Sequence, residues 1–154
     1  MSSTQSATPA RRSKTVAAWL ALVGGTLGLH RLYLHGGGDW LAWLHPLPTA
    51  LGLLGVLRLL NLGQDDPVAW FLLPLLGLMI SQAMLAAIVY GLTSDEKWAA
   101  RHHPTLGVKP TAWGPVLAAM LALLLGGTVL MGTIAYGGQK FFEWQFEGVA
   151  AKSA

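Results

Sequence analysis

VAWFLLPLLGLMISQAMLAAIVYGL, residues Val68–Leu92, decides the fold. It holds no aspartate, glutamate, lysine, arginine or histidine, and it is long enough to cross a bilayer core, which takes about 20 apolar residues as a helix. Working outward, three more apolar stretches of comparable length flank it: Val16 to Leu34, Trp40 to Leu62 and Ala112 to Tyr136. The expectation is an all-α polytopic integral membrane protein, with four transmembrane helices arranged as two hairpins. Composition points the same way. Charged residues make up only 11% of the chain, against about 25% in soluble domains, too few to coat a water-facing surface.

The net charge of +3 is small, and no basic cluster is interleaved with aromatics. No nucleic-acid partner is expected; such an excess suits topology and contact with anionic lipid. The chain has no cysteine, which removes disulfides, thiolate metal sites and cysteine nucleophiles.

The gaps divide the chain into four parts. Residues 1–13 are polar, with nothing to bury, and read as a disordered tail. Residues 14–63 form the first hairpin, turning at Gly36-Gly37-Gly38-Asp39. His45-Pro46-Leu47-Pro48 should kink the second segment near its start, since proline removes a donor and crowds the preceding turn. Arg58 lies one turn from the end of that segment and can snorkel to the interface. Residues 64–137 form the second hairpin. Asp65-Asp66-Pro67 starts it with an acidic cap and a proline in the first turn. Its polar loop, 93–111, opens with Thr93-Ser94-Asp95-Glu96, a capping sequence that predicts a short surface helix over Asp95–His102. Residues 138–154 carry Lys140, Glu143 and Glu147 on one side and Phe141, Phe142 and Phe146 on the other. After the Gly137-Gly138 break, this tail reads as an amphipathic helix lying in the interface, with a frayed continuation of the fourth segment as the rival reading.

Small residues recur where helices should meet. Gly24 and Gly28 are four apart, Gly52 and Gly55 three apart, and Ala83, Ala87 and Gly91 recur every fourth residue. Such stripes let helix backbones approach closely.

His30-Arg31-Leu32-Tyr33 is the leading site candidate, with Asp39 across the turn as the expected partner of Arg31. Two readings compete. Arg31 and Tyr33 are what a helix end uses to anchor at the interface and lock a hairpin. The same groups, with His30, could bind a lipid headgroup or a partner protein. His30, His35 and His45 cluster near the hairpin mouth, but no carboxylate or cysteine joins them at ligand spacing, so no metal is expected. Ser81 and Gln82, the strongly polar pair inside the third segment, should bond a neighbouring helix. Nothing supplies a nucleophile, an oxyanion donor or a phosphate cradle. No catalytic residue and no cofactor is expected.

The stretch SKTVAAWLALVGGTLGLHRLYLHGGGDWLAWL, Ser13–Leu44, resembles the TM-two domain family. Lys14 matches the family's lysine before helix one, and Gly24, Gly25 and Gly28 match its glycines. Gly28 to Leu34 matches its Gly-x-His-Arg-Phe-Tyr-Leu turn run, with Leu32 in the phenylalanine position. The next glycine is displaced by one residue, and the aspartate that closes many members' second helix is absent from Leu57-Arg58-Leu59-Leu60. The resemblance covers roughly residues 13–63. It implies a two-helix membrane hairpin and no established catalytic activity.

The functional expectation is a non-enzymatic scaffold, interaction or regulatory component acting through helix packing. Its partners would be the lipid bilayer, a second copy or another membrane protein. The alternative is a small oligomeric transporter or channel subunit. The expected location is a bacterial inner (plasma) membrane. Four crossings would put both termini on one side, and six cations against four favours the cytoplasm.

Overall fold

The computed structural model describes residues 12–105 and 107–153, and every regular element in them is helical. Most of the expected tail over 1–13 therefore lies outside the described residues. The helices are α1 (Lys14–Gly24), α2 (Leu29–His35), α3 (Trp40–Leu44), α4 (Pro46–Leu62), α5 (Pro67–Leu92), α6 (Asp95–His102) and α7 (Gly114–Ser153). Among the described residues three spans are long and apolar enough to cross a bilayer: Trp40–Leu62, Pro67–Leu92 and Gly114–Gly148.

The first apolar segment departs from the expected single helix. α1 ends at Gly24, and one 3-10 turn, Gly25–Leu27, follows. Gly28 then takes a left-handed conformation, φ 76° and ψ 12°, which glycine adopts without a Cβ penalty. α2 runs back toward the start of α1. The Tyr33 hydroxyl accepts a hydrogen bond from the Ser13 backbone nitrogen at 2.8 Å, and Leu34 packs with Ala17 and Trp98. The segment is thus a helical hairpin that enters the bundle and returns. Irregular backbone at that depth is tolerated only where protein covers it. Here the Thr49 hydroxyl donates to the Thr26 carbonyl at 2.7 Å.

α5 is the central helix. α4 runs antiparallel to it, with Gly52 against Leu76 and Gly55 against Leu72 and Leu73. α7 also runs antiparallel, with Gly91 against Pro115 and Ala119, Gly126 against Met84, and Gly77 against Thr133. α1 lies along α5 and α7, and Gly25 abuts Ala83. The seam is built of fully buried alanines, including Ala17, Ala18, Ala21, Ala83, Ala87 and Ala122. Outward faces carry exposed leucine, tryptophan and phenylalanine. The Gly24–Gly28 pair is not a stripe on one helix, because the helix ends between the two residues.

Two further local features stand out. α3 and α4 meet at His45, so the kink falls where the His45-Pro46 pair places it. α7 runs without a break through Gly137-Gly138. The separate interfacial helix expected over 138–154 is therefore replaced by a continuation of α7. At 40 residues that helix is about 60 Å long, twice a bilayer core. Gln139 and Lys140 both bond Glu143 within it, at 2.8 and 2.7 Å.

Candidate functional site

The turn run occupies α2, which the glycines on either side let turn sharply. Arg31 Nε donates to Asp39 Oδ2 at 2.9 Å, and His35 Nδ1 lies 3.5 Å from the same oxygen. Asp39 also caps α3 by accepting from the Leu41 nitrogen. The Arg31 hydrogen bond holds the Asp39 carboxyl below the usual carboxylate range. One carboxylate therefore ties α2 to the start of α3.

His30 points the other way, into the bundle, and is 1% exposed. Its ring centroid lies 5.9 Å from that of His45 and 5.8 Å from that of Tyr90. His45 Nδ1 lies 2.6 Å from the Leu41 carbonyl, which accepts a ring N–H there. Neither His30 Nδ1 nor His45 Nε2 has a hydrogen-bond partner among the described residues. The structure thus splits the four-residue candidate. Arg31 and Asp39 form a clamp, Tyr33 accepts from Ser13 at the start of α1, and His30 joins an interior cluster that includes Tyr90. His35 lies beside Asp39 at the turn, apart from that cluster. Among the described residues no group of three histidine, cysteine, aspartate or glutamate side chains is placed to hold a metal ion.

Two other clamps were not foreseen from the sequence. Lys14 Nζ, 8% exposed, donates to Asp95 Oδ1 at 2.6 Å and to the Thr93 carbonyl at 3.0 Å. Thr111 adds its hydroxyl to Oδ1 at 2.6 Å and its backbone nitrogen to Oδ2 at 2.8 Å. These bonds, Lys14's first, lower the Asp95 carboxyl to about 2. They join the start of α1, the end of α5, α6 and the start of α7. Trp98 Nε1 reinforces the junction by donating to the Arg12 carbonyl at 2.9 Å. No local signal announces a pair 81 residues apart in sequence.

At the opposite end, Arg58 forks onto Asp66, with Nε to Oδ2 at 2.6 Å and Nη2 to Oδ1 at 2.9 Å. Asp66 simultaneously caps α5 through the Val68 and Ala69 nitrogens. The Arg58 bond is the main reason its carboxyl sits below the ordinary range. Arg58 is thus held by a carboxylate instead of reaching freely to the interface. A signal existed here: the NLGQDDP turn folds α4 onto α5 and brings the two residues together. Beside this clamp, Asp65, Trp70, Lys140 and Glu143 line a cavity of about 300 Å³.

Comparison with known protein families, with characterised proteins and with solved structures returns no match.

Proposed function

We propose that this protein is a non-enzymatic integral membrane component that acts through helix packing, with itself or with another membrane protein. The observation that supports this most is how its carboxylates are used. Asp39, Asp66 and Asp95 each bind a cation and join two segments of the chain. These three carboxylates are spent holding the bundle together. What remains outward is a broad apolar surface fit for lipid and other helices. Affinity purification from mild detergent with cross-linking tests this. A stable stoichiometric assembly supports it; a solitary monomer with substrate-dependent flux in proteoliposomes overturns it.

For membrane topology we favour three complete crossings plus a returning first segment, in place of four crossings. The start of α1, α2, the 93–111 loop and the start of α7 share one end of the bundle through Ser13, Tyr33, Lys14 and Asp95. Asp65, Lys140 and Glu143 gather at the other. Counted by end among the described residues, Arg12, Lys14, Arg31, Lys97, Arg101 and Lys109 oppose Arg58, Lys140 and Lys152. Six cations against three is a stronger positive-inside bias than four crossings give. The reading puts the chain start and the 93–111 loop in the cytoplasm of a bacterial cell and the end of α7 outside.

The TM-two resemblance stays an expectation over residues 13–63. The broken first segment is a departure from two straight helices. A transport role is the second reading, favoured by His30, His45 and Tyr90 inside the bundle beside a broken helix. Ionisable groups at such depth mark pathways in many transporters. Flux through vesicles that collapses in His30→Ala while folding is retained would favour it over packing.

A further inference from the structure

Gln82 faces outward from α5, within about 4 Å of that helix's midpoint. It makes no hydrogen bond among the described residues, unlike its neighbour Ser81, which donates to the Gly77 carbonyl at 2.7 Å. α5 is the most apolar of the spans, with mean hydropathy 2.2. An amide carboxamide left bare at that depth is costly, because hydrocarbon offers it neither donor nor acceptor. Something must cover it.

A groove of about 400 Å³ runs between α5 and α7, with Leu78 and Leu85 flanking Gln82 on one wall. Leu123 and Leu130 form the other wall, with Gly127 between them. A Cβ at Gly127 would meet no atom within 4 Å, so the chain itself leaves a notch there. The adjacent Gly126 is spent on the close approach to Met84, so Gly127 is spare.

We infer that this groove is a two-fold interface between two copies of the chain, with the two Gln82 carboxamides hydrogen-bonded across it. The inference rests on the helix-packing reading and names its partner. A carboxamide carries both donor and acceptor, so it is complementary to itself. Around a two-fold axis each surface patch meets its own copy, and both carboxamides are satisfied by one another. The leucines of one copy fill the groove of the other, next to the Gly127 notch. Interhelical bonds of this kind stabilise association in membranes.

The test uses the full chain, which has no native cysteine, in detergent and in vesicles. Leu85→Cys should form an intermolecular disulfide on mild oxidation, whereas Leu53→Cys on α4 should not. Gln82→Leu should raise the dimer dissociation constant about 3- to 30-fold, and Gln82→Asn should restore part of the loss. Gly127→Leu fills open space in a single copy, so it should weaken the dimer while leaving the unfolding midpoint of a single copy unchanged. A dimer that cross-links through Leu53→Cys instead, or is indifferent to Gln82→Leu, overturns the interface while the packing reading stands. A monomer at all concentrations that also recovers no partner overturns both.

Discussion

Gly28→Ala should unfasten the returning segment. Two costs add at this position. At φ 76° an L-residue sits in the left-handed region, at about 1–2 kcal/mol. Its Cβ would also stand 2.5 Å from the Ala42 carbonyl oxygen and 3.2 Å from the Ala42 Cα. Backbone cannot step aside as a flexible side chain can, and overpacking of this kind costs about 1–3 kcal/mol. Together they predict a loss of about 2–5 kcal/mol, a large share of a typical stability of about 5–15 kcal/mol. Gly127→Ala is the contrast. It lies in regular helix with open space, so alanine there should be neutral or stabilising by up to about 1 kcal/mol. Thermal and denaturant unfolding in detergent would measure both. A companion assay reads geometry directly. A short bifunctional thiol reagent should join Ser13→Cys to Tyr33→Cys within one chain, because the Ser13 nitrogen and the Tyr33 hydroxyl are 2.8 Å apart. In a straight helix those positions would be about 30 Å apart. Gly28→Ala with unchanged stability, together with no cross-link in the otherwise native chain, would refute the returning segment.

Asp95→Asn should flatten the acid limb of the stability profile. The folded carboxyl titrates near 2, below the ordinary 3.8. Its contribution is therefore complete above the ordinary value and is lost as pH falls from about 4 towards 2; unfolding midpoints of wild type and Asp95→Asn across that range should converge at the acid end. Arg58→Leu should lower the unfolding midpoint more than Arg58→Lys, since lysine keeps the charge but not the two-pronged fit to Asp66; equal losses would show that the fork is irrelevant. Arg31→Leu should likewise exceed Arg31→Lys in lost folded yield through the Asp39 clamp, and a leucine variant indistinguishable from wild type would leave the turn run without a structural role. Reporter fusions at position 12 and in the 93–111 loop should be cytoplasmic and one at position 152 external; position 152 on the same side as position 12 would restore an even number of crossings.

Much of the bundle was legible because its signals are local. Asp66-Pro67 announced the start of α5, Ser94 with Asp95 and Glu96 announced α6, and His45-Pro46 announced the break before α4. Glycine was misread in both directions. Gly24 to Gly28 read as a packing stripe, yet the helix stops there. Gly137-Gly138 read as a stop, yet α7 continues. A helical glycine costs about 1 kcal/mol relative to alanine, so tertiary surroundings decide which outcome wins. The backbone of Ala42 presses against Gly28, where no side chain fits. Nothing stands within 4 Å of a Cβ at Gly137 or Gly138, and the Glu143 bonds to Gln139 and Lys140 lie just beyond. Within the candidate site, Arg31 with Asp39 was readable across a short turn. His30 beside Tyr90 and Lys14 on Asp95 were not, because those pairs exist only once distant helices have packed.

The Lys14–Asp95 clamp and the Gly28 hinge constrain each other. Were the first segment a straight span, the turn after it, and hence the start of α3, would stand at the far end of the bundle from Lys14. The Tyr33 hydroxyl could not then reach the Ser13 nitrogen, and α2 could not lie with Ala17 against Trp98. Conversely, Lys14 is 8% exposed and held by Asp95 and the Thr93 carbonyl, so the start of α1 is pinned to the end of α5. Pulling it away would leave a partly exposed carboxylate bonded only to Thr111. With that end fixed, α2 and α3 can connect to α4 only if the chain returns. A left-handed glycine makes the return sterically open, and a long-range ion pair makes the alternative costly. The number of crossings, and with it the side on which the end of α7 emerges, thus hangs on two features that no hydropathy pattern contains.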